Sequence, residues 1–389
     1  MGSSVELVMN IFYKSLLSLS LLCLLFAVIF LLVGYSASVY GPLIIAMFVF
    51  LALGVRGTNT LFKSFAFSIW IFASVSFAMF YPELVTNVGG INTAIFIVPL
   101  IQLIMFGMGT QLSLKDFTGV MKRPKGVLVG ILCQFTIMPI VGISIALSFG
   151  FTAEIAAGIV LIGSCPGGVA SNVMAFIAES DLALSITLTA VATMISPFMT
   201  PLLMELLAGQ FVPIDAIAMM MSILNMIIFP IVLGLIFNHF LHGKLKWLDD
   251  IMPVISMVGI AVIITVITAA GRDSLVSIGL LLILAAIIHN ALGYLFGYWG
   301  GRLMGMDENS CRTIALEVGM QNGGMASGLA AEMGKIATVG LAPAVFGPWM
   351  NISGSTLANW WRRKALKNEN LEENNVTEKV LNHQKFSDK

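Results

Sequence analysis

The chain has 389 residues, of which 58% are hydrophobic and 10% are charged, and its mean hydropathy is +0.97. A soluble domain carries about 25% charged residues, so this composition excludes a soluble enzyme and a disordered protein. Lysine plus arginine and aspartate plus glutamate both total 20, and a chain without a basic excess lacks the main electrostatic driving force for binding nucleic acid. At about 20 residues per membrane-spanning helix, the composition predicts an all-α polytopic membrane protein.

The apolar stretches are long and free of charge, which predicts transmembrane helices rather than the short alternating strands of a β-barrel. The first stretch, from Ser15 to Val55, is too long for one span and is interrupted at residues 35–38 and by Gly41-Pro42, so it predicts two helices. In chain order, helices are predicted at residues 15–34, 39–55, 64–82, 92–110, 126–149, 154–178, 182–206, 216–240, 251–270, 275–304, 310–332 and 337–360.

Charge placement predicts how these helices are oriented. With a cytoplasmic N-terminus, only Arg272 and Lys335 of the 20 basic residues fall on the outer side, which is a strong positive-inside bias. Both termini are therefore predicted to be cytoplasmic. The protein is predicted to lie in the cell (inner) membrane. Lys14 ahead of an apolar run resembles a signal peptide, but a second charge-free helix follows at once, which favours an uncleaved hairpin.

A helix-breaking stretch interrupts the predicted helix at 154–178: Gly163-Ser164-Cys165-Pro166-Gly167-Gly168-Val169-Ala170-Ser171-Asn172. Pro166 removes a backbone donor and the glycines weaken the helix, which predicts a discontinuous helix near the middle of the bilayer. Irregular backbone at that depth is tolerated where it is buried in protein or lines a cavity. A simple proline kink is the alternative, but kinks rarely combine a Gly-Gly pair with Ser-Asn.

A second polar stretch, Glu317-Val318-Gly319-Met320-Gln321-Asn322-Gly323-Gly324, lies in the predicted helix at 310–332. No lysine or arginine lies within four residues of Glu317, and an uncompensated carboxylate in a membrane indicates a functional site. It must be protonated, paired with a distant base or bound to a cation. Gln321 and Asn322 add neutral oxygens, the ligands that hard cations prefer. A structural glutamate bonded to the broken backbone is the alternative.

Isolated polar residues also lie within the predicted helices: Gln134, Ser185, Thr187, Thr189, Thr193 and Ser196. Ser185 and Thr189 are four residues apart, so their hydroxyls lie on one helix face. Taken singly, such residues are typical of contacts between helices.

The two interrupted helices indicate an internal repeat, because the first runs inward and the second outward across the membrane. Secondary transporters built from inverted repeats place a binding site at the midplane, where half-helix N-termini favour an anionic group and unwound carbonyls favour a cation. The pattern therefore predicts a cation-coupled carrier of an anion.

These residues resemble the bile acid:sodium symporter family, in its bacterial members. The similarity is carried in family order by Met105-Phe106-Gly107-Met108-Gly109 with Leu114 and Asp116-Phe117, Gln134-Phe135 to Pro139, Cys165 to Asn172, Glu317 to Asn322, and Asn351-Ile352-Ser353-Gly354. It covers about residues 62–362 and implies an inverted-repeat fold with core and panel domains and two broken, crossing helices. The corresponding division is an added N-terminal transmembrane hairpin (1–60), a sodium symporter core of ten transmembrane helices (61–362) and a disordered cytoplasmic tail (363–389).

The resemblance also implies where ligands bind. One sodium site would use Ser171, Asn172, Ser185, Thr189 and Glu317, and the other Gln134, Glu317, Val318, Met320 and Gln321. The substrate would contact Val169, Asn322, Met350 and Asn351 in a cavity between the domains. Met350 stands where close relatives have a histidine and Val169 where some have a threonine, and both changes make the cavity more apolar.

The function implied is import of an organic anion, bile acid-like, pantoate-like or another small carboxylate, by alternating access with two Na⁺ ions. Sodium would be the coupling ion and the only metal, with no further cofactor, and the lipid bilayer and the anion would be the partners. The alternatives are a proton-coupled organic anion carrier in which Glu317 titrates, a metalloid or anion efflux carrier that uses Cys165, and a receptor that has lost transport. The sequence contains no HExxH motif and no pair of aspartates in mid-span, and His289 has no evident nucleophile partner. The chain is therefore not predicted to be an enzyme.

Overall fold

The structure is a computed structural model that describes residues 2–58, 65–113, 123–241 and 246–363, without the side chains of residues 2–8, 241, 246 and 248–250. The predicted disordered tail beyond residue 363, the loop lysines at 63, 115, 122 and 244, and the motif residues 114–117 lie outside the described residues.

Helices account for nearly all of the described chain. Their bounds are α1 (Gly2–Leu32), α2 (Ala37–Gly54), α3 (Ala66–Phe80), α4 (Pro82–Thr86), α5 (Ile97–Gln111), α6 (Pro124–Ser148), α7 (Ala153–Ser164), α8 (Ala170–Ile177), α9 (Leu182–Leu203), α10 (Ala216–Ile223), α11 (Phe229–Leu241), α12 (Lys246–Ala270), α13 (Arg272–Leu303), α14 (Glu308–Gly319), α15 (Gly323–Glu332) and α16 (341–363). One small hairpin, β1 (Asn87–Val88) with β2 (Ile91–Asn92), precedes a 3₁₀ turn at Thr93–Phe96.

Within the described part of the chain, eight helices are long and apolar enough to cross a membrane. The prediction of an all-α polytopic membrane protein is therefore confirmed. Each predicted segment falls on a helix or on a pair of half-helices. The bounds differ at several ends: α1 begins at Gly2 rather than at residue 15, and α5 begins at Ile97 because the residues before it form the hairpin and the 3₁₀ turn.

Two helices each contain a π-helical turn that the sequence analysis did not predict. Residues Met204–Ala208 continue α9, and Leu224–Ile228 join α10 to α11. Such turns are rare and often lie at functional positions.

Nine of the helices after residue 65 form two packing groups. The panel group consists of α3, α5, α11 and α12, which pack on one another, and the core group consists of α6, α7, α9, α13 and α14. Between α12 and α13 the two groups are joined by Gly271 alone. A Cβ atom at Gly271 would lie 2.7 Å from the Ala337 backbone carbonyl, so a larger residue would force the backbone of this junction to shift.

The hairpin of α1 and α2 packs on the panel group through α3. The Ser20 hydroxyl of α1 donates to the Met47 carbonyl of α2 at 2.9 Å, and the rings of Phe48 in α2 and Phe72 in α3 stack with centroids 5.7 Å apart. Large apolar side chains of α1 are widely exposed, as expected of a helix that faces lipid.

Ion pairs mark the two ends of the helix bundle. At one end Arg123 pairs with Asp181, and Arg362 pairs with Glu179 at 3.2 Å. At the other end Lys335 pairs with Glu154. Since α7 begins beside Glu154 and α14 begins beside Asp307 at the opposite end, the two interrupted helices run antiparallel, as an inverted repeat requires.

Candidate ion and substrate site

The two interrupted helices cross in the middle of the core group. Gly167, between α7 and α8, forms an isolated antiparallel bridge with Gln321, between α14 and α15. The Gly168 amide donates to the Met320 carbonyl at 2.8 Å, and the Asn322 amide donates to the Pro166 carbonyl at 2.9 Å. The unwound segments therefore satisfy part of each other's backbone, which a bilayer interior demands.

Each break frees carbonyls that a continuous helix would have used. In an α-helix the amide of residue i donates to the carbonyl of residue i−4, so Gly168 would donate to Ser164 and Asn322 to Val318. Both amides donate across the crossover instead. The freed Ser164 carbonyl accepts from the Thr200 hydroxyl at 2.8 Å, and the freed Val318 carbonyl accepts from the Gln321 side chain at 2.5 Å.

Glu317 lies at the centre of a cluster of oxygen atoms. Its Oε1 accepts from the hydroxyls of Ser171 at 2.6 Å, Ser185 at 2.5 Å and Thr189 at 2.9 Å. The carboxylate is 4% exposed, and none of the lysines and arginines in the described residues forms an ion pair with it. A buried carboxylate held only by neutral groups is electrostatically incomplete, because burial without a counter-charge is costly.

Asn172 contributes a further oxygen to the same cluster. Its Oδ1 lies 2.8 Å from the Ser185 hydroxyl and 3.2 Å from the Thr189 hydroxyl. The i, i+4 spacing of Ser185 and Thr189 thus brings both hydroxyls to one carboxylate and one amide. The five residues predicted for the first sodium site converge on one point.

Gly167 makes room for this carboxylate. A Cβ atom there would lie 2.7 Å from Glu317 Oε2, closer than real Cβ contacts, and 3.2 Å from the Glu317 carbonyl, which is also tight. The Gly-Gly pair after Pro166 therefore lets the unwound backbone approach Glu317 directly.

The residues predicted for the second sodium site adjoin the first. The Gln134 amide of α6 donates to the Cys165 carbonyl at 2.7 Å and to Gln321 Oε1 at 2.7 Å. The Val318 and Met320 carbonyls face the Gln321 side chain and the Gly168 amide respectively. Each carbonyl has two lone pairs, so each keeps one that can coordinate a cation.

A cavity of about 340 Å³ lies between the panel and core groups, beside the crossover. The four predicted substrate residues Val169, Asn322, Met350 and Asn351 all line it, facing α5 and α12 of the panel group. No charged side chain is among the described residues of its wall, in which isoleucine and methionine are the commonest apolar side chains. Met350 also accepts a hydrogen bond on its Sδ from the Gln321 amide at 3.2 Å, so the cavity wall touches the second cation site.

Three of the isolated hydroxyls bond within their own helix. Thr187 donates to the Ala183 carbonyl, Thr193 to the Thr189 carbonyl and Ser196 to the Thr193 carbonyl. None of these three hydroxyls contacts Glu317, so of the hydroxyls singled out in this helix only those of Ser185 and Thr189 reach the cluster.

Asn290 and Thr200 were missed by the sequence analysis. Each donates to a backbone carbonyl at a break: Asn290 to Gly319 at 2.7 Å and Thr200 to Ser164 at 2.8 Å. A polar residue in the middle of an apolar helix was the available signal, but it does not identify which carbonyl the residue will meet.

The chain is similar in sequence to known proteins. A profile described as Sodium Bile acid symporter family matches residues 98–278. An uncharacterized sodium-dependent transporter of Bacillus subtilis, YocS, is 37% identical over 79% of the chain and 94% of its own length. A probable chloroplastic sodium/metabolite cotransporter of Arabidopsis thaliana, BASS1, is 33% identical over 78% of the chain and 75% of its own length. The ileal sodium/bile acid cotransporter of Oryctolagus cuniculus is 34% identical over 57% of the chain and 65% of its own length.

Proposed function

Because the chain belongs to the sodium bile acid symporter family and is a sodium-coupled transporter in a membrane, we propose that it imports an organic anion together with two Na⁺ ions by alternating access. The observation that carries this proposal is the convergence of both broken helices and α9 on the buried Glu317 carboxylate. The anion would be bile acid-like, pantoate-like or another small carboxylate.

The chemistry of the first site suits Na⁺. Ser171, Ser185 and Thr189 each have one hydroxyl proton, yet they share the Glu317 carboxylate, the Asn172 amide oxygen and the Gly168 carbonyl as acceptors. Oxygen atoms therefore outnumber the protons between them. A monovalent cation among these oxygens would neutralise the carboxylate and use the surplus lone pairs, since hard cations take oxygen ligands.

Cation binding would stabilise the crossover because its ligands come from separate elements. Glu317 lies on α14, Ser171 and Asn172 on α8, and Ser185 on α9. An ion that bonds all of them holds the two half-helices together. The substrate cavity is bounded by the same unwound segments, so Na⁺ and substrate would each raise the other's affinity, a reciprocal coupling free energy.

The anionic group of the substrate would lie at two helix N-termini. The cavity wall includes Val169 and Ala170 at the start of α8 and Gly324 at the start of α15. Among the described residues, no backbone carbonyl accepts from the amides of these three residues. Free first-turn amides and the helix dipole favour an anion, and the apolar panel wall would contact the substrate's body.

The orientation of the protein is part of the proposal. The end of the bundle that carries Arg123 and Arg362 would face the cytoplasm of the cell, with both termini on that side, because the positive-inside rule favours it. The cavity would then open alternately to either side as the panel and core groups move about their connections.

Glu317→Gln tests the function, because glutamine keeps the shape and removes the charge. Purified protein would be titrated with NaCl replacing choline chloride at constant ionic strength, followed by uptake into proteoliposomes of whichever organic anion shifts the melting temperature. We expect Glu317→Gln to lose Na⁺-dependent stabilisation and Na⁺-driven uptake while remaining folded in choline. Glu205→Gln, at an exposed carboxylate far from the crossover, is the matched control and should behave as wild type.

Two outcomes would overturn the proposal. Full Na⁺-dependent uptake by Glu317→Gln would exclude Glu317 as a cation ligand. Uptake by the wild type that continues when K⁺ replaces Na⁺ at fixed pH, and stops when the proton gradient is collapsed, would favour the proton-coupled carrier instead.

A further inference from the structure

The Asn351-Ile352-Ser353-Gly354 motif has two halves that face different parts of the molecule. Asn351 lines the substrate cavity. Ser353 and Gly354 face the end of α14: a Cβ atom at Gly354 would lie 2.6 Å from the Met320 sulfur and 3.1 Å from the Tyr294 hydroxyl. One turn of α16 therefore touches both the cavity and the second cation site.

Ser353 belongs to a chain of hydrogen bonds that ends on the backbone of the second break. The Tyr294 hydroxyl lies 3.2 Å from the Ser353 oxygen, the Ser353 hydroxyl donates to Asn290 Oδ1 at 2.5 Å, and Asn290 Nδ2 donates to the Gly319 carbonyl at 2.7 Å. A carbonyl can only accept, so the Asn290 amide nitrogen must face Gly319 and its oxygen must face Ser353. All donors then point the same way, and such chains strengthen each bond.

The Gly319 carbonyl would lack a backbone partner without Asn290. In a continuous helix it would accept from the Gly323 amide, which donates to the Gln321 carbonyl instead. Gly319 is also pressed between neighbours: a Cβ atom there would lie 2.2 Å from the Tyr294 ring. The end of α14 is thus held by α13 through one bond and one close contact.

Holding this carbonyl fixes one peptide unit of the break. The Gly319 carbonyl and the Met320 amide share a planar unit, and the Met320 amide donates to the Leu316 carbonyl at 3.0 Å, so the unit is bonded on both sides. Met320 then leaves the helical region, with a φ of −110° and a ψ of 88°, and the Val318 and Met320 carbonyls belong to the two peptide units that adjoin the fixed one. These are two of the ligands expected for the second Na⁺.

We propose that Asn290 and Ser353 are positioning residues for the second cation site, and that Ser353 links this site to the cavity wall at Met350 and Asn351. The link is short, because Ser353 lies only three residues after Met350 and two after Asn351 in the same turn of α16. Movement of the Met350-Asn351 turn when substrate binds would alter the Asn290 bond and hence the Gly319 carbonyl. This inference rests on the proposed function, which supplies the two Na⁺ ions.

Ser353→Ala is the sharpest test because alanine fits a helix and removes one hydroxyl. In a NaCl titration against choline chloride, followed by thermal stability, we expect the Na⁺ concentration for half-saturation to rise about 10-fold, the usual effect of removing a group that orients a metal ligand. The Hill coefficient should fall, since the first site is untouched. Ser353→Thr keeps the hydroxyl and should restore the wild-type titration.

Thr356→Val is the matched control in the same helix, because the Thr356 hydroxyl is exposed and, among the described residues, bonds only the Ile352 carbonyl, at 2.8 Å. It should leave the Na⁺ titration unchanged. Asn290→Ala should raise the half-saturation at least as much as Ser353→Ala, and the double variant should show less than the sum of the two effects, as expected of residues in one hydrogen-bonded chain.

The link to the cavity has its own readout. Asn351→Cys, in a Cys23→Ser background, would be labelled with a water-soluble thiol reagent with and without Na⁺. We expect Na⁺ to change the labelling rate in this variant and Ser353→Ala to abolish that change. A labelling rate that responds equally to Na⁺ with and without Ser353 would overturn the link.

The outcomes separate this inference from the function on which it rests. If wild type and variants all ignore Na⁺, the proposed function fails. If wild type binds Na⁺ and Ser353→Ala and Asn290→Ala only lower the melting temperature equally in Na⁺ and in choline, their role is structural and the inference fails.

Discussion

The two broken helices cross with the same backbone pairing, yet they are interrupted and supported in different ways. The first contains Pro166, which has no amide and therefore leaves a carbonyl of α7 without its helical donor. The second has no proline and is interrupted because its Asn322 and Gly323 amides bond elsewhere. In both, a side-chain amide from the preceding long helix bonds a freed carbonyl: Gln134 bonds Cys165, and Asn290 bonds Gly319.

The chemistry of the two helices is complementary rather than repeated. The first supplies neutral ligands, the Ser171 hydroxyl and the Asn172 amide, and the second supplies the Glu317 charge. The helices that follow also differ, because α9 directs Ser185 and Thr189 at the carboxylate whereas α16 directs Met350 and Asn351 into the cavity. Under the proposed function, neither half alone would supply both the charged and the neutral groups, so ion and substrate binding would depend on the crossover.

Of the substitutions that distinguish the two broken helices, Gly167→Ala should have the largest effect on Na⁺ binding. Its Cβ would lie 2.7 Å from Glu317 Oε2, and overpacking of this kind costs about 1–3 kcal/mol. We expect the Na⁺ half-saturation to rise about 10- to 100-fold in a NaCl titration followed by thermal stability.

Gly323→Ala is the matched change at the second break. Its nearest neighbour would be the Pro343 carbonyl at 3.6 Å, an ordinary contact, so its Na⁺ titration should match wild type. Equal effects of the two alanines would contradict the assignment of Glu317 to a site that depends on close approach by Gly167.

Gln134→Leu should weaken the second cation site and spare the first. The change removes the bond to the Cys165 carbonyl and the two bonds exchanged with the Gln321 side chain, and leaves buried polar groups unpaired at about 1–3 kcal/mol. We expect about a 10-fold higher Na⁺ half-saturation and a lower Hill coefficient. Thr136→Val, at an exposed hydroxyl bonded to its own helix, is the control, and an unchanged Hill coefficient in Gln134→Leu would argue against two sites.

Thr200→Val tests whether the hydrogen bond from Thr200 to the first break contributes to stability alone or also to Na⁺ binding. Its hydroxyl bonds the Ser164 carbonyl at the end of α7 at 2.8 Å. Loss of this bond should lower the free energy of unfolding by about 1–2 kcal/mol and leave the Na⁺ half-saturation unchanged. A shifted Na⁺ titration would mean that the Ser164 carbonyl matters for ion binding as the Gly319 carbonyl is proposed to do.

Composition and hydropathy predicted the spans well because the bilayer constrains them strongly. The predicted segment at 182–206 matches α9 with its π-helical turn, and the break at Pro166 follows from the missing amide. The first helix was predicted to begin at residue 15 but begins at Gly2, since a helix can extend past the apolar stretch into polar sequence. The π-helical turns have no comparable signal in the sequence.

Site residues could be predicted from the sequence where the residue type is energetically costly inside a membrane. They could not be predicted where the residue type is common there. Glu317 stands out because a carboxylate in the membrane is expensive, whereas Asn290 and Thr200 are polar residues that could bond any neighbouring carbonyl. Their roles depend on the crossing of two segments far apart in sequence. Met350, which the family resemblance predicted as a substrate residue, lines the cavity. The bond from the Gln321 amide to the Met350 sulfur could not be predicted from the sequence.

The two broken helices also begin differently, and this should give the smallest measurable difference. Asp307 caps α14, accepting from the Ser310 amide at 3.0 Å and the Ser310 hydroxyl at 2.6 Å, whereas Thr152 precedes α7 without a side-chain cap bond. Asp307→Ala should therefore cost about 1 kcal/mol and Thr152→Ala close to nothing, measured as the free energy of unfolding in detergent.

The Ser310 bonds hold the pKa of the Asp307 carboxyl below its usual value, so this contribution is present above pH about 4 and is lost as the pH falls through the lowered pKa. The gap between wild type and Asp307→Ala should close on acidification, and a gap that persisted there would assign the effect to something other than the ionised cap.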